Sequence, residues 1–220
     1  MSDMLVCDYD GTLNTDFKID LRLNINAIKK FMGQGNKFVI STARGFNSIK
    51  YEINKYNIPY DYLTCNNGAV IFDNRDNVMY KNTLSKKEID GIKMAVSSDK
   101  KRVYFFDVYG YRGNEEDIIY GSIPVSFFYD VSELEELLHP LEVQKRGNHV
   151  FVKKQSSKLD GALILERNLD VNKIYAVGDG EDDRELLKYF GGYKMFINSL
   201  KDPDMKMTTS VHSLIKKIMK

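Results

Sequence analysis

The chain has 220 residues, of which 43% are hydrophobic and 29% charged, so it can bury the core of one large domain or of a core with a smaller insert. Its 32 basic and 31 acidic residues give a net charge of +1, which does not favour nucleic acid or an anionic membrane surface as the main partner. No apolar run has the length of a membrane span, and the acidic first ten residues argue against a signal peptide.

The first third of the chain alternates strand patterns with helix patterns. Short apolar runs predict strands, and apolar residues at helical spacing predict helices between them. The predicted strands are 4–7, 37–41 and 60–65, and the predicted helices are 25–32 and 44–56. Such alternation indicates a parallel sheet with right-handed crossovers.

The middle third changes this rhythm. It begins with a predicted hairpin, continues with a long segment rich in aromatic and β-branched residues, and ends in a strand. The predicted elements are a hairpin of 69–72 with 78–80, a helix 86–97, an aromatic segment 102–129, a helix 132–138 capped by Ser132, and a strand 150–153. We therefore expect a separate α+β unit over residues 84–153.

The last third returns to alternation of strand and helix. The predicted elements are helix 159–168, strand 174–177, helix 182–189, strand 195–197 and a terminal helix 211–218 behind a Ser210 cap. The fold class expected from the whole chain is α/β. A Rossmann-like parallel-sheet core, formed by 1–83 and 154–220, is interrupted by an inserted α+β domain, 84–153.

Two aspartates, Asp8 and Asp10, follow the first predicted strand in the run V-C-D-Y-D-G-T-L. The carboxyl ends of strands are where open α/β sheets bind ligands, and like charges this close need a cation or a shared proton. Asp8 can attack phosphorus, and Asp10, expected to point the same way one strand period later, can exchange protons with the leaving oxygen and with water. A calcium loop of the EF-hand type is excluded, because Leu13 and Ile19 occupy its glycine and glutamate positions. A loop that only caps the next helix remains an alternative.

Two further segments carry single candidate residues. Thr42, in S-T-A-R after the second strand, can bind a phosphoryl oxygen at a helix N-terminus, although an ordinary N-cap fits as well. Lys158 follows Ser157, which forms a predicted capping box with Asp160. The helix dipole disfavours a lysine in the first turn, which suggests another use for its charge, but a solvated lysine is the alternative.

An acidic segment, G-D-G-E-D-D at residues 178–183, follows the strand 174–177. Acidic residues suit the first turn of a helix, yet four of them in five positions are better explained by a hard cation such as Mg²⁺. Two like unit charges about 4 Å apart cost about 4 kcal/mol at the effective dielectric of a protein surface. An aspartate that approaches a phosphate dianion therefore needs a metal ion and a cation such as Lys158.

Together these motifs resemble those of the haloacid dehalogenase superfamily of phosphotransferases. D-Y-D-G-T-L, I-S-T-A-R, S-S-K-L-D-G-A-L and V-G-D-G-E-D-D correspond to its four motifs in order. The segment C-N-N-G-A, at 65–69, and the position of the insert resemble the Cof-type branch, whose cap is of the C2 class. The resemblance implies a Mg²⁺-dependent phosphatase acting on a small phosphorylated metabolite, with sugar phosphates as the favoured class.

The same resemblance implies roles for particular residues. It makes Asp8 the nucleophile and Asp10 the general acid and base, has Thr42 and Lys158 bind the phosphoryl group, and has Arg44 and Asn67 line the site near the cap. It assigns the Mg²⁺ ligands to Asp8, the backbone carbonyl of Asp10 and Asp179, with Asp183 ligating or orienting. The chain departs from the family pattern at Asp182, where asparagine is usual, at Ala43, where glycine is usual, and in the short cap.

The insert is rich in aromatic residues, which predict either a platform for a sugar or base, or packing within the strands. They are Tyr104, Phe105, Phe106, Tyr109, Tyr111, Tyr120, Phe127, Phe128 and Tyr129. The leading functional hypothesis is a phosphomonoesterase, and the alternatives are a phosphomutase with the same phosphoaspartate and a catalytically weak protein that binds a phosphorylated ligand. Cys7 and Cys65, in apolar runs, suggest reduced, buried thiols in a cytoplasmic protein. Neither nucleic acid nor a membrane is expected as a partner, and the oligomeric state is open.

Overall fold

The computed structural model of the protein describes residues 2–15, 18–97, 103–113, 116–124, 131–196, 200 and 202–220. The strands are β1 Ser2–Asp8, β2 Lys37–Ser41, β3 Tyr62–Cys65, β4 Val70–Asp73, β5 Val78–Lys81, β6 Tyr104–Asp107, β7 Ile118–Pro124, β8 Glu142–Arg146, β9 His149–Lys153, β10 Val171–Gly178, β11 Tyr193–Met195 and β12 Lys206–Thr208. The helices are α1 Lys18–Gly33, α2 Phe46–Tyr56, α3 Lys86–Ser97, α4 Ser132–Leu138, α5 Lys158–Asn168, α6 Arg184–Phe190 and α7 Val211–Ile218.

The main sheet has eight strands in the order β12-β11-β10-β1-β2-β3-β4-β5. All pairs from β12 to β3 are parallel, whereas β4 and β5 pair antiparallel as the predicted hairpin. β1 lies between β10 and β2, and the register aligns Cys7 with Val177 and Asp8 with Ser41. The strand ends that carry the predicted motifs therefore meet at one edge of the sheet, which is the edge where α/β folds bind ligands.

Both faces of the main sheet are covered. Leu5 and Cys7 of β1 pack into one apolar cluster with α1, α2 and α7, and Met4 and Val6 pack into a second cluster with α5 and α6. A strand that is buried on both faces reads as a continuous apolar run, which explains the sequence of β1. Cys7 and Cys65 are buried free thiols, as predicted, and burial raises the pKa of both.

A second, separate sheet is antiparallel and has the order β6-β7-β9-β8. One of its faces packs on α3 and α4 through a cluster that includes Ile92, Leu134, Val150 and Val152. The parallel-sheet core and the separate antiparallel sheet confirm the predicted fold class. Within the described part of the chain, the helices are too short or too polar to cross a membrane.

Several local predictions were wrong or incomplete. β8 and β12 were not predicted, because each has a single apolar residue among charged and polar ones and so forms only a weak strand pattern. The predicted helix 182–189 divides into a 3-10 turn, Glu181–Asp183, and α6. Val131, not Ser132, is the N-cap of α4, and it makes no side-chain capping hydrogen bond. The last predicted strand is shifted to Tyr193–Met195, and Ile197 lies outside the described residues.

Candidate active site

A buried ion-pair cluster lies where β1 ends and α5 begins. Lys158 Nζ donates hydrogen bonds to Asp8 Oδ1 and Asp183 Oδ1, both at 2.7 Å. The three side chains are 2%, 6% and 0% exposed, respectively. Breaking such a buried, hydrogen-bonded pair by removing one partner leaves an uncompensated charge, so Lys158 is needed to hold both acids. The alternative of a solvated Lys158 is wrong.

Lys158 points into this cluster because the start of α5 is fixed. Ser157 Oγ accepts a hydrogen bond from the Asp160 backbone at 3.1 Å, and Asp160 Oδ2 accepts one from the Ser157 backbone at 2.8 Å. This is the predicted capping box. Burial by itself lowers the pKa of Lys158, but the carboxylates of Asp8, Asp183 and Asp182 outweigh it, so the net pKa is raised and the side chain stays charged.

Asp183 is held rigidly by the loop that follows β10. Its Oδ2 atom accepts hydrogen bonds from the backbone N–H groups of Asp179 and Gly180, both at 3.0 Å. A Cβ atom on Gly178 would lie 2.3 Å from Asp183 Cγ, so the loop requires glycine there. With Oδ1 bound to Lys158, both oxygens of Asp183 already serve to orient the carboxylate.

The loops after β1 and β10 also interlock. Thr12 Oγ1 donates a 2.8 Å hydrogen bond to Asp179 Oδ1. Gly11 has a φ of +81°, and a Cβ atom there would lie 2.4 Å from Asp179 Oδ2. Gly11 therefore permits both the turn and the close approach of the acid. Thr12 has no role predicted from the sequence, where its position beside the motif glycine is its only signal.

Carboxylate oxygens of Asp8, Asp179 and Asp183 lie within 4.8 Å of one another. Burial, followed by the charge of Asp183, raises the pKa of Asp8, although Lys158 opposes this shift. One lysine does not fully offset the acids, and a cluster of carboxylate oxygens is the donor set that Mg²⁺ prefers. The residues present therefore fit the metal that the family resemblance implies.

The other two acids of the segment 178–183 do not join this cluster, so the prediction that all four acids of the segment serve a cation was wrong for these two. Glu181 is 73% exposed and forms a bidentate pair with Arg184. Asp182 is 42% exposed, and its Oδ2 lies 3.0 Å from Lys158 Nζ. Asp182 thus adds negative charge at the rim of the cluster.

Asp10 lies outside β1, which ends at Asp8, so the strand period that was expected to align the two side chains does not extend to Asp10. Its carboxylate is 53% exposed and accepts two hydrogen bonds from Arg44, at 2.7 Å from Nε and 2.5 Å from Nη2. The Arg44 guanidinium also lies over the ring of Tyr9, 5.2 Å from its centroid. The structure therefore brings Arg44 to Asp10, a pairing that the sequence argument missed.

Thr42 is buried, and its backbone N–H donates to the Thr64 carbonyl at 3.0 Å. Its hydroxyl accepts a hydrogen bond from the Arg44 backbone at 3.1 Å and retains a hydrogen to donate. The N-cap of α2 is Gly45, so the alternative of Thr42 as an ordinary N-cap is wrong. Asn67 donates its backbone N–H to the Thr42 carbonyl at 3.0 Å, and its buried Oδ1 has no partner among the described residues.

A cavity of ≈ 190 Å³ separates this part of the core from the second sheet. It is lined by Ala43, Gly45, Asn66 and Asn67 on the core side, and by Tyr120, Gln144, Arg146, Phe151 and Lys153 on the sheet side. Gln144 and Arg146 were not predicted from the sequence to line a site. Polar side chains at alternate positions of β8 were the available signal.

The described aromatic residues of the insert lie on both faces of the second sheet and in the segment that follows β6. Tyr104, Phe106 and Tyr120 lie on the sheet face away from α3 and α4, and the rings of Phe106 and Tyr120 are stacked 4.9 Å apart. Phe105 packs into the apolar cluster on the other face, and Tyr109 packs on the core. Tyr111 is exposed, and Phe127, Phe128 and Tyr129 lie outside the described residues.

Comparison with known proteins supports this architecture. A hypothetical protein from Geobacillus kaustophilus HTA426 is 17% identical with a TM-score of 0.81, the alignment covering 99% of this chain and 98% of that one. A phosphatase of the haloalkanoate (HAD) enzyme superfamily from Bacteroides thetaiotaomicron is 21% identical with a TM-score of 0.77, covering 100% and 94%. A sugar phosphatase of HAD subclass IIB is 16% identical with a TM-score of 0.66, covering 100% and 98%. At these identities the likeness concerns the fold.

Sequence comparison identifies the family. An uncharacterized protein of Mycoplasma capricolum is 37% identical over 92 residues, which are 40% of this chain and 34% of that protein. The match thus spans about a third of the curated relative. The family model of haloacid dehalogenase-like hydrolases matches residues 5–136, which is more than half of the chain. The chain therefore belongs to the haloacid dehalogenase-like hydrolases, the family that its motifs resemble.

Proposed function

We propose that this protein is a Mg²⁺-dependent phosphomonoesterase that hydrolyses a small phosphorylated metabolite, of which a sugar phosphate is the favoured class, through an aspartyl-phosphate. The observation that carries the proposal is the buried Asp8 carboxylate, held at the end of β1 by Lys158. A carboxylate fixed beside a buried cation can approach an anionic phosphoryl group that would otherwise repel it. The solved phosphatases of the same fold, one of them a sugar phosphatase, agree with this proposal.

In the first step, an Asp8 oxygen attacks phosphorus and the bond from phosphorus to the ester oxygen breaks. Asp10 gives its proton to that oxygen, so the alcohol leaves neutral. In the second step, water attacks the phosphorus of the aspartyl-phosphate while Asp10 takes its proton. The bond to Asp8 then breaks, which releases inorganic phosphate and restores the carboxylate.

The remaining site residues bind the phosphoryl group and the metal ion and orient them. Lys158 and the Thr42 hydroxyl donate hydrogen bonds to phosphoryl oxygens, and Asn67 lines the entrance toward the cavity. The residues proposed to hold the metal are Asp8, Asp179 and the backbone carbonyl of Asp10, with Asp183 orienting the set. Bound Mg²⁺ would offset negative charge on the phosphoryl oxygens during attack.

We further propose that residues 84–153 form a C2-type cap over a core made of 1–83 and 154–220. The second sheet and its two helices fall within these bounds, and the cavity between that sheet and the core is a suitable place for the alcohol part of the ester. In such an arrangement the core performs the chemistry and the cap selects the substrate.

The test is the release of phosphate from an aryl phosphate such as p-nitrophenyl phosphate, with Mg²⁺ and with a chelator. We expect Mg²⁺-dependent turnover that Asp8→Asn abolishes. Asp3→Asn, the same change at the other end of β1, is the matched control and should keep activity. Folded wild-type protein without turnover, or turnover that survives Asp8→Asn, would contradict the proposal. Isomerisation of a sugar phosphate without net phosphate release would instead favour a phosphomutase.

A further inference from the structure

The cap side of the cavity is one face of the antiparallel sheet. Because side chains alternate along a strand, the residues of β7, β9 and β8 that face the core occupy every second position. Tyr120 pairs with Lys153, and Gln144 with Phe151, in the registers of these strands. The opposite positions, such as Val150 and Val152, fill the apolar cluster under α3 and α4.

This face carries positive charge that is only partly neutralised. Lys153 Nζ lies 2.7 Å from Glu142 Oε2 and donates to Ser156 Oγ at 3.0 Å, so its charge is already paired. Arg146 has no carboxylate within ion-pair distance in the part of the chain that the structure describes. The residues that line the cavity include no acid. Among the described residues, Arg146 is therefore the cavity cation without a paired acid.

The orientation of Arg146 suits an anion. Arg146 is exposed at the end of β8, and its Nε atom donates to Gln144 Oε1 at 2.7 Å, which orients the guanidinium and leaves the Nη groups as donors. Since the amide oxygen of Gln144 accepts this bond, its NH₂ group is a further donor. A planar fork of N–H donors matches the oxygens of a carboxylate or phosphate, whereas a neutral hydroxyl uses only part of it.

The cavity joins this donor group to the proposed phosphoryl site. Its core wall contains Ala43 and Asn67, which adjoin Thr42 in sequence and through a 3.0 Å backbone hydrogen bond, respectively. For a molecule whose phosphoryl group lies at Thr42, this cavity is a path toward Arg146. We infer that the leaving group of the substrate bears a second anion, a phosphate or a carboxylate, which Arg146 and Gln144 bind. The inference rests on the proposed function and specifies its substrate class.

The test compares substrates that differ in this second anion. Fructose 1,6-bisphosphate is paired with fructose 6-phosphate, and 3-phosphoglycerate with glycerol 3-phosphate, so the two arms separate phosphate from carboxylate. We expect kcat/KM to favour one or both of the compounds with the second anion by about tenfold or more, as charged hydrogen bonds allow. Arg146→Gln should reduce that preference at least about tenfold, mainly through KM. Lys145→Gln, an equal loss of charge at the neighbouring exposed position on the other face of β8, should preserve it.

Binding of the same four compounds to the Asp8→Asn protein with Mg²⁺, measured by calorimetry, separates the two proposals. If no ester is hydrolysed but the compounds with a second anion bind more tightly in an Arg146-dependent way, the proposed function fails and the anion site stands. If esters are hydrolysed and the preference is absent, or equal in Arg146→Gln and Lys145→Gln, the anion site is overturned and the function stands.

Discussion

Arg44 donates two hydrogen bonds to the carboxylate of Asp10, from Nε at 2.7 Å and from Nη2 at 2.5 Å. Bidentate pairing fixes both the position and the plane of a carboxylate, which a single charge does not. The side chains of Arg44 and Asp10 are 31% and 53% exposed, respectively, so the pair adds little to the stability of the fold and acts mainly by orienting the carboxylate. We therefore expect Arg44 to position the proposed acid and base, a role that the sequence, which predicted substrate binding, did not suggest.

We predict that Arg44→Lys lowers kcat by about 10- to 100-fold and leaves KM within about twofold. A lysine keeps the positive charge but not the two parallel N–H donors of the guanidinium, and a small misplacement of a reacting group lowers the rate strongly. Steady-state kinetics on the best ester measures both constants. Arg184→Lys, which alters a similar fork to Glu181 at the surface, is the matched control and should change neither. A rise in KM with unchanged kcat would instead support the prediction from the sequence that Arg44 binds substrate.

The meeting of the motifs after β1, β2 and β10 could be predicted, because parallel strands bring their carboxyl ends to one edge. Lys158 begins α5 instead, and its place 150 positions from Asp8 in the same site was expected only from the family resemblance. The pairing of Arg44 with Asp10 could not be predicted. It depends on β1 ending at Asp8 rather than continuing through Asp10, and strand ends are the least certain part of a sequence pattern.

The cap was less predictable than the core for a related reason. Its β8 strand has charged and polar residues at most positions, since Gln144 and Arg146 line the cavity and Val143 is its only apolar residue. A periodicity argument detects a strand from its apolar face, and β8 offers little of it. The cavity side of the cap, with Gln144 and Arg146, therefore emerged only from the structure.

Removal of the cation from the buried cluster should be strongly destabilising. We predict that Lys158→Met lowers the free energy of unfolding by about 3–5 kcal/mol, since the carboxylates of Asp8 and Asp183 remain buried without their partner. Urea denaturation at neutral pH, in the presence of a chelator, measures the change. Lys50→Met removes a lysine that is paired with Asp76 at 2.7 Å but is 21% exposed, and we expect a loss of at most about 1 kcal/mol. Equal losses in the two variants would show that the cluster at Lys158 is not specially dependent on its cation.

Asp182 should strengthen metal binding through its charge. It stands at the rim of the acidic cluster, 3.0 Å from Lys158, where the family pattern has asparagine. We predict that Asp182→Asn raises the Kd for Mg²⁺ by about 2- to 10-fold at low ionic strength, and by less in high salt, because screening weakens the attraction of an exposed charge. Calorimetric titration of the protein with Mg²⁺ alone gives the constant.

The control for this prediction is Glu181→Gln. Glu181 is the neighbouring acid, but it is 73% exposed and already paired with Arg184, so its removal should alter the Kd less. An unchanged or lower Kd in Asp182→Asn would mean that the extra carboxylate competes for Lys158 rather than attracting the cation.

Gly68 connects the segment beside Thr42 to the start of α5. Its φ is +81°, and a Cβ atom there would lie 2.2 Å from the Ser157 carbonyl oxygen and 3.0 Å from the Gly161 amide nitrogen. These neighbours are backbone atoms, so they cannot move aside without displacing the first turn of α5. That turn carries Lys158, which makes the glycine a condition for the geometry of the site.

We predict that Gly68→Ala lowers the free energy of unfolding by more than about 3 kcal/mol, because core overpacking and backbone strain add together. We also expect a fall in kcat that is larger than the loss of folded protein accounts for. Gly35→Ala is the control that separates backbone strain from steric overlap, because Gly35 has a similar φ of +87° but open space around it. Strain alone should cost that variant about 1–2 kcal/mol, with full activity in the folded protein. Chemical denaturation and kinetics on both variants decide the matter. If Gly68→Ala is no worse than Gly35→Ala, the contact between Gly68 and α5 does not position Lys158.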